Sequence, residues 1–512
     1  MTSSAEIGEP PRTLSVFRRG LILVTVTLGA TLYVTTIMVA STVLPQMQGA
    51  MSATPDEISW TMTFNILATA VVTPMTGWLV ARFGQRAVME WCVFGFTAAT
   101  FFCGAAQSLE SLVFWRVMQG GIGAPVIPLA QTILLAAFPP RQHGMVTGVY
   151  GMGIVLGPIL GPTFGGLLAE LYSWRWAFYM IVPIGFVSVL GLRFALDKDR
   201  PTGRVALDWT GFLSLSVAVA CVQLVLSRGQ RLDWFDSPEI VIETFLAVLA
   251  FYIFIAHSLT ARQPFLNLKL LLNRDYAVGL ALVGIFGMLN FTPMVLLPPL
   301  LQQHAGFPDA LIGQVVGSRG IGAMLGFFVA IFLPRSIPRT IMMVGFGVQV
   351  VSGLWLMSLD LNVDTRVLMI NGIIQGFAVG TIWVPLTVLT FSSLSSRYLA
   401  EATAVFHLIR NIGASLFISI CVAEIVRATG LNYGRMTELI SPFNEVLTMP
   451  WALGAWSVES VSGLARLSKE ITRQSAMIGY INAFGIYTAV SAAAIPLLLM
   501  TGFFRRARAP LT

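Results

Sequence analysis

Charged side chains are scarce in this sequence. Asp, Glu, Lys and Arg make up 11% of its 512 residues, whereas an ordinary soluble domain carries roughly 25%. Apolar residues reach 56%, and the mean hydropathy is +0.78. So few charges could not cover that much apolar surface in water. The composition therefore excludes a cytosolic enzyme, a disordered chain and a nucleic-acid binder, in spite of the net charge of +7.

Histidine and cysteine are also rare, with four residues of each. The histidines are widely scattered, and the cysteines fall inside apolar runs with no metal-binding spacing such as CxxC. The sequence contains no GxxxxGK[ST] motif, which argues against an ATP-driven pump. We therefore expect neither an enzyme nor a bound metal or cofactor.

Long apolar runs are the main feature of the sequence. A bilayer-spanning helix needs about 20 mostly apolar residues, and the sequence offers fourteen such runs, which we number spans 1 to 14. They are too long and continuous for the strands of a membrane barrel. Their approximate cores are 21–43, 57–79, 87–106, 111–136, 145–169, 177–196, 209–227, 239–259, 277–302, 311–333, 340–359, 366–391, 401–425 and 479–503.

The basic residues predict the orientation of these spans. The side that holds both chain ends collects nineteen Lys and Arg residues, against four in the short loops of the other side. Short loops rich in Lys and Arg face the cytoplasm. We therefore expect a multi-pass protein of the plasma membrane, the inner membrane in a bacterium, with both termini cytoplasmic.

The chain partly repeats itself at an offset of about 256 residues. Gln119-Gly120 recurs as Gln375-Gly376, Gly157 maps onto Gly413, and Leu44-Pro45 maps at a similar offset onto Leu297-Pro298. The alternative is chance similarity between apolar helices. A repeat predicts two halves of six spans with two inserted spans, which is typical of a transporter with its site between the halves. The predicted parts are a tail at 1–20, an N-terminal bundle at 21–196, the insertion at 197–275, a C-terminal bundle at 276–503 with a long outer loop at 427–478, and a tail at 504–512.

Span 5 carries glycine at every fourth position and two prolines. This spacing places the glycines on one helix face and lets a neighbouring backbone approach closely, while the prolines interrupt the hydrogen-bond ladder. The pattern fits simple tight packing, and it also fits a bending interface that controls which side opens. The residues are Gly153, Gly157, Pro158, Gly161, Pro162 and Gly165.

Ionisable side chains inside spans are costly and therefore candidates for function. Arg116 of span 4 should face a cavity or a partner together with Gln119, unless it reaches out to the membrane surface. Arg410 lies near the middle of span 13, and Arg319 is a similar lone arginine in span 10. His407 could carry a proton or could be a packed polar residue. Glu424 follows Arg410 on roughly the same face but closer to the outer side.

The loop between spans 2 and 3 combines glycine and arginine. Gly84 permits a tight turn, and Arg82 and Arg86 face the cytoplasm after Gly77. Arginines alone would be ordinary cytoplasmic charges, but their spacing relative to the glycines is more specific.

Together these motifs resemble the fourteen-span drug:proton antiporters of the major facilitator superfamily, the EmrB/QacA type. The resemblance covers nearly the whole chain, and its most specific signal is the glycine-proline pattern of span 5. It implies an all-helical membrane protein with the major facilitator fold, 6 + 2 + 6 spans, and a part in proton coupling for Arg116 with Gln119. From the residues themselves, our candidates for proton coupling or gating also include His407, Arg410 and Glu424. The resemblance also implies a periplasmic adaptor and an outer-membrane channel as partners in Gram-negative relatives. The alternative for the long loop is that it rests on the outer surface of the pump itself.

Two positions depart from the pattern of that family. Many relatives carry Asp in span 1 where this chain has Thr36, and an acidic residue in the loop where it has Ala81. The first departure leaves the proton-carrying residue open, and the second weakens an expected charge pair that would latch the halves together.

We therefore expect a secondary active transporter that exports drugs or other lipophilic or cationic small molecules in exchange for protons, with the proton gradient as its energy source. The alternative is a dedicated exporter of one metabolite, lipid or siderophore. Polar residues inside spans must face a cavity or a partner. The candidates for the substrate cavity are Thr36, Asn65, Asn290, Asn371, Gln375 and Trp383.

Overall fold

The computed structural model describes residues 15–197, 206–332, 337–395, 398–441, 443–449, 456–458 and 460–500. Fourteen helices in these residues are long and apolar enough to cross a bilayer, which confirms the predicted span count and the all-helical fold. Spans 1 to 14 are Val16–Thr42, Glu57–Phe83, Gln85–Ala105, Leu109–Ala137, Pro140–Leu171, Trp174–Ala195, Trp209–Leu232, Pro238–Thr260, Arg274–His304, Leu311–Phe332, Pro338–Met357, Thr365–Phe391, Leu399–Thr437 and Val461–Leu499.

Short polar residues mark the starts of several spans. Ser108, Asp208 and Asp364 each accept a hydrogen bond from a backbone N–H of the first helical turn. Thr54 does the same before span 2 and completes a capping box with Glu57. Such caps satisfy N–H groups that have no partner within the helix, which matters most where a helix begins at the edge of a membrane.

Each half of the chain has a hydrophobic core of its own. Val26, Phe96 and Leu129 lie in the core of spans 1 to 6, and Phe346 and Phe484 lie in the core of spans 9 to 14. With an even number of spans, the first and last described residues lie on one side of the membrane, which we call the terminal side. We call the opposite side distal.

The inserted spans 7 and 8 pack against each other and cover one seam between the halves. Leu215 and Val219 of span 7 share an apolar cluster with Ala70 of span 2 and Leu408 of span 13. The insertion therefore lies on the line where spans 2 and 13 meet.

A second seam joins spans 5 and 10. Added Cβ atoms at Gly148 and Gly151 of span 5 would meet the side chain of Ile331 or Phe327 of span 10. These glycines lie in the first third of span 5, so the contact is on the terminal side. Close approach without side chains is what allows the two halves to meet there.

Spans 13 and 14 are much longer than a bilayer requires. Span 13 is one helix of 39 residues, or about 58 Å at 1.5 Å per residue, against roughly 30 Å of hydrocarbon. Its distal end packs on the last helix, where Tyr433 and Ser468 form a hydrogen bond of 3.0 Å. Within the segment predicted as a long outer loop, 427–478, residues 427–437 and 461–478 continue these two helices outward as a hairpin.

Candidate functional site

Arg116 is fully enclosed within the N-terminal half. It is 0% exposed, and its guanidinium donates to Gln119 Oε1, to the carbonyl of Thr61 at 3.4 Å and to the sulfur of Met62 at 3.3 Å. Gln119 in turn donates to Thr100 Oγ1 at 2.7 Å. This polar cluster, the N-cluster, ties spans 2, 3 and 4 together, and it holds the charge with neutral partners.

Asn65 joins span 2 to the same cluster. Its side-chain amide donates to the carbonyl of Arg116 at 2.7 Å, and a Cβ at Gly120 would collide with the Asn65 backbone. Asn65 therefore lies at the contact of spans 2 and 4, and its side-chain hydrogen bond stabilises that contact.

The C-terminal half contains a matching group, the C-cluster. Arg319 of span 10 donates from Nε to Gln375 Oε1 at 2.8 Å and from Nη2 to Asn290 Oδ1 at 3.0 Å. Gln375 donates to the hydroxyl of Tyr487 at 3.3 Å. Asn371 lies one helical turn away and donates to the carbonyl of Ser352 at 3.0 Å.

The two clusters occupy equivalent positions of the repeat. Gln119 and Gln375 each accept a hydrogen bond from an arginine inside a span, Arg116 and Arg319 respectively. A Cβ at Gly376 would meet the backbone of Arg319 in span 10, just as one at Gly120 would meet Asn65 in span 2. The matching contacts explain the repeated Gln-Gly pairs. In each half, the glycine allows two helices to approach closely beside the glutamine.

Polar contacts join the two halves at the seam formed by spans 4 and 13. His407 Nε2 lies 2.7 Å from Gln131 Oε1, and the hydroxyls of Thr132 and Thr403 are 2.8 Å apart. His407 and Gln131 are each 2% exposed. Even so, His407 Nδ1 and Gln131 Nε2 have no hydrogen-bond partner among the residues that the structure describes, so this contact leaves two polar atoms unpaired.

Arg410 lies next to that contact, about 16 Å along span 13 from Leu399 and therefore near the middle of a bilayer. Its Nε and Nη2 both donate to the side chain of its neighbour Asn411, at 3.3 and 3.0 Å. The guanidinium carbon is 5.6 Å from the ring centre of Trp383 and 5.8 Å from that of Phe291. Tyr150 of the N-terminal half is close enough to interact electrostatically with it.

The loop motif also lies at the seam. A Cβ at Gly77 would come within 3.0–3.4 Å of Glu401, at the start of span 13. Gly84 has φ of +86°, which explains the glycine at the turn between spans 2 and 3. Arg86 pairs with Glu90 at 2.7 Å within the N-terminal half, while Arg82 lies in the last turn of span 2. Ala81 supplies no acid here, and the Glu401 carboxylate of the other half accepts a hydrogen bond from the backbone N–H of Asn267.

The span 5 glycines pack against span 1. Added Cβ atoms at Gly153, Gly157 and Gly161 would meet Thr27 and Thr35, and one at Gly165 would meet Val39. The helix is continuous from His143 to Leu171 through Pro158 and Pro162. In this conformation the glycine face is a tight packing surface; whether it also bends during transport stays a prediction.

Glu424 and Thr36 lie apart from the seam group. Glu424 accepts a hydrogen bond from Asn482 at 3.2 Å and pairs loosely with the exposed Arg427 at 3.8 Å. Thr36 is buried, and its hydroxyl donates to the carbonyl of Leu32 within its own helix at 2.7 Å. The structure thus brings together His407, Arg410 and Trp383 at the seam, and Arg116, Gln119 and Asn65 within one half.

Sequence reasoning missed several residues of the seam. Gln131 was a detectable signal, since it is an amide inside an apolar run, whereas Tyr150 and Phe291 look like ordinary apolar-helix residues and only the packing selects them. Glu401 reads as a solvated residue at a span end. In the part of the chain that the structure describes, no group of His, Cys, Asp and Glu could hold a metal ion.

Comparison with known proteins agrees with this architecture. The model of the Major Facilitator Superfamily matches residues 26–418. The chain belongs to that superfamily. It is 31% identical over 409 residues to the multidrug export protein EmrB of Escherichia coli K12, covering 79% of this chain and 80% of that one. This similarity confirms the EmrB-type resemblance and identifies a membrane transporter.

A more distant sequence relative and a solved structure are also similar to this chain. The fatty acid resistance protein FarB of Neisseria gonorrhoeae is 28% identical over 461 residues, 89% of this chain and 91% of that one. The solved structure of the human organic anion transporter MFSD10 aligns over 96% of this chain with a TM-score of 0.62 and 13% identity. At that identity the solved structure supports the fold alone.

Proposed function

We propose that this transporter is a proton-driven exporter of lipophilic small molecules, working by alternating access in a bacterial inner membrane with both termini in the cytoplasm. The observation that carries the proposal is the polar group at the seam, where Gln131 meets His407 beside Arg410 near mid-membrane. A site between two halves can be exposed to either side as the halves rock. The multidrug export role of the relative from E. coli supports the same reading.

The contacts described above correspond to a state closed on the terminal side. Gly77 with Glu401, and Thr132 with Thr403, lie in the terminal-side thirds of their spans. For export, these contacts must separate to admit a compound from the cytoplasm and re-form before its release. His407 is our candidate for a proton carrier at this contact, because its second ring nitrogen has no partner.

Inverted membrane vesicles test the transport reaction. An imposed proton gradient should drive accumulation of a lipophilic fluorescent compound, and adding that compound should dissipate part of the gradient. Gln131→Leu and His407→Leu should each slow both signals, and the double variant should be no slower than either single variant because they remove one contact. Gln223→Leu, a substitution of a buried glutamine in inserted span 7, is the matched control.

Two results would contradict the proposal. Correctly inserted wild-type protein that moves no compound of a broad panel would exclude a multidrug exporter. Transport without any proton movement would exclude proton exchange.

We also propose that the distal hairpin of spans 13 and 14 docks a periplasmic adaptor protein. Phe443 is 93% exposed and Leu439 is 67% exposed at its tip, so these apolar side chains do not rest on the pump. A photo-crosslinker at Phe443 should capture a co-expressed membrane-fusion adaptor, whereas one at Phe17 on the terminal side, which is 82% exposed, should not. Efficient export with no crosslink at Phe443 would argue against this docking site.

A further inference from the structure

We propose that residues 265–267, which we call the strap, hold the terminal side of the seam closed, and that the strap must leave the Glu401 carboxylate before this side can open. The strap lies in the connection between inserted span 8 and span 9, on the terminal side. This inference rests on the alternating access proposed above, and it gives the inserted spans a part in that movement.

Two carboxylates from distant parts of the chain bind the strap. The backbone N–H of Phe265 donates to Asp208 Oδ2, at the start of span 7, at 3.0 Å. The backbone N–H of Asn267 donates to Glu401 Oε1, at the start of span 13. The strap is irregular, so its N–H groups need partners outside regular secondary structure, and hydrogen bonds to ionised carboxylates are strong ones. The strap therefore ties the inserted spans to the C-terminal half.

The side chains of the strap pack into the seam. Leu266 is 7% exposed and shares an apolar cluster with Ala70 of span 2 and Leu408 of span 13. The ring of Phe265 packs on Phe212 of span 7, with ring centres 5.3 Å apart. The strap therefore covers the line on which spans 2 and 13 meet.

The short chain between the two hydrogen bonds limits how the helices can move. Phe265 and Asn267 are separated by at most about 7 Å of extended chain, so the starts of spans 7 and 13 stay close together while both bonds hold. Span 7 also packs on span 2 through Leu215 and Val219. Opening on the terminal side moves span 2 away from span 13, and it must therefore break one of these contacts.

The bond at Glu401 is the weaker of the two. Asp208 also accepts a hydrogen bond from the N–H of Gly211 at 3.0 Å and lies 2.8 Å from His257 Nε2. Among the described residues, the Glu401 carboxylate accepts a hydrogen bond from the strap alone. We therefore expect the strap to leave Glu401 and to stay with Asp208 when the halves separate.

Labelling of a buried cysteine by a membrane-impermeant maleimide tests the strap. In a full-length protein whose four native cysteines are replaced, Thr132→Cys reports the seam, because Thr132 is 1% exposed and contacts Thr403 of the other half. Ser188→Cys reports packing inside the N-terminal half, where Ser188 is 0% exposed. Inverted vesicles present the proposed cytoplasmic side to the reagent. The labelling rate rises with the population of the state that exposes the cysteine.

Two substitutions of Asn267 separate its backbone N–H from its side chain. Asn267 has φ of −82°, close to the angle that proline fixes, so Asn267→Pro removes the N–H with little change of backbone. Asn267→Ala keeps the N–H and removes only the side-chain bond to the N–H of Lys269. We expect Asn267→Pro to raise the labelling rate at Thr132→Cys about tenfold, and Asn267→Ala to leave it close to that of the wild type.

Substitutions of Glu401 test the other partner of the same bond. Glu401→Ala should raise the rate as Asn267→Pro does, and the combination should raise it no further, because both remove one interaction. Glu401→Gln keeps an oxygen acceptor and should raise the rate less. Ser188→Cys should stay unreactive throughout, since opening of the seam leaves each half packed. If Glu401→Ala exposes Ser188→Cys, that variant has unfolded and the two Asn267 variants decide the question.

The strap and the export function can fail separately. Equal labelling of Thr132→Cys in Asn267→Pro and Asn267→Ala would overturn the strap and leave the export function standing. If Asn267→Pro raises labelling while the wild type moves no compound of a broad panel, the export function fails and the strap stands.

Discussion

The two halves of this protein bring helices together beside a glutamine in the same way, but they place their arginines differently. In both, a glutamine beside a glycine accepts a hydrogen bond from an arginine inside a span, and the glycine lets a second helix approach. Gln119 accepts from an arginine of its own helix, whereas Gln375 accepts from an arginine of span 10. The C-terminal half also carries Arg410, which among the described residues donates hydrogen bonds only to its neighbour Asn411, while the ring of Trp383 flanks its guanidinium. An arginine that donates to other helices holds those helices together, and Arg410 does not do so.

Substitution of the glycine beside each glutamine should lower the stability of the fold more than any other change proposed below, and unequal losses would contradict the equivalence of the halves. Gly120→Ala and Gly376→Ala should each destabilise the protein by about 2–3 kcal/mol, because the added methyl meets the backbone of the neighbouring helix and overpacking is costly. Gly121→Ala is the control, since its Cβ would meet only Val72 and Ala68 side chains at 3.7 and 3.9 Å. Thermal unfolding in detergent measures all three. A melting temperature unchanged in Gly120→Ala but lowered in Gly376→Ala would show that the two positions are not equivalent.

Substitution of the two glutamines tests whether the halves are equivalent. Gln119→Leu and Gln375→Leu each remove a hydrogen-bond acceptor from an arginine inside a span and should cost about 1–2 kcal/mol of stability. The losses should be similar in the two halves, although the arginines come from different helices. The same unfolding measurement, with Gln223→Leu as the control, checks this. A loss in only one half would mean that the other arginine finds a new acceptor.

The seam, where the halves meet, should respond differently from either cluster. Gly77→Val should hinder closure on the terminal side, because its side chain would meet Glu401, and should leave the fold of each half intact. Paired cysteines replacing Thr132 and Thr403, whose hydroxyls are 2.8 Å apart, would report closure by forming a disulfide. Its rate should fall several-fold in Gly77→Val but not in Gly347→Val, where no atom lies near the added Cβ. An unchanged rate would show that the seam does not depend on this glycine.

The weakest change in stability is expected for a substitution in the insertion, spans 7 and 8, which belongs to neither half. Burial alone would raise the pKa of Asp208, but hydrogen bonds from the Gly211 N–H, from His257 and from the Phe265 N–H together lower it. A lowered folded-state pKa stabilises the fold at neutral pH, and this contribution is lost as the pH falls below about 4. Asp208→Asn should therefore cost about 1 kcal/mol at pH 7 and less at acid pH. The difference in melting temperature from the wild type at two pH values measures it.

Asp236→Asn provides the control for that pH dependence, since Asp236 lies on the exposed loop between spans 7 and 8. Its melting temperature should follow that of the wild type at both pH values. If the Asp208→Asn difference persists unchanged in acid, the carboxylate charge is not what holds the insertion.

The sequence predicted the helices and the family because both depend on local patterns. Fourteen apolar runs, the loop around Gly84 and the glycines of span 5 are readable without knowing which helices touch. The seam was less accessible, because it depends on contacts between residues far apart in the chain. Gln131 and His407 are separated by 276 positions, and Tyr150 meets Arg410 only once the two halves are docked. The same limit applied to Arg116 and Arg410, which read alike as lone arginines and differ only in their neighbours.

The unbroken course of span 13 has a mechanical consequence. Its 39 residues carry Glu401, His407 and Arg410 and continue to Thr437 beyond the membrane, so the helix is a rod with about 40 Å between Arg410 and its distal end. A rod supported at the seam works as a lever. A partner bound at its distal end can tilt the Arg410 guanidinium without contacting the transported compound. Binding of a partner at the distal end and movement of the seam residues inside the membrane are then parts of one rigid-body movement of the helix.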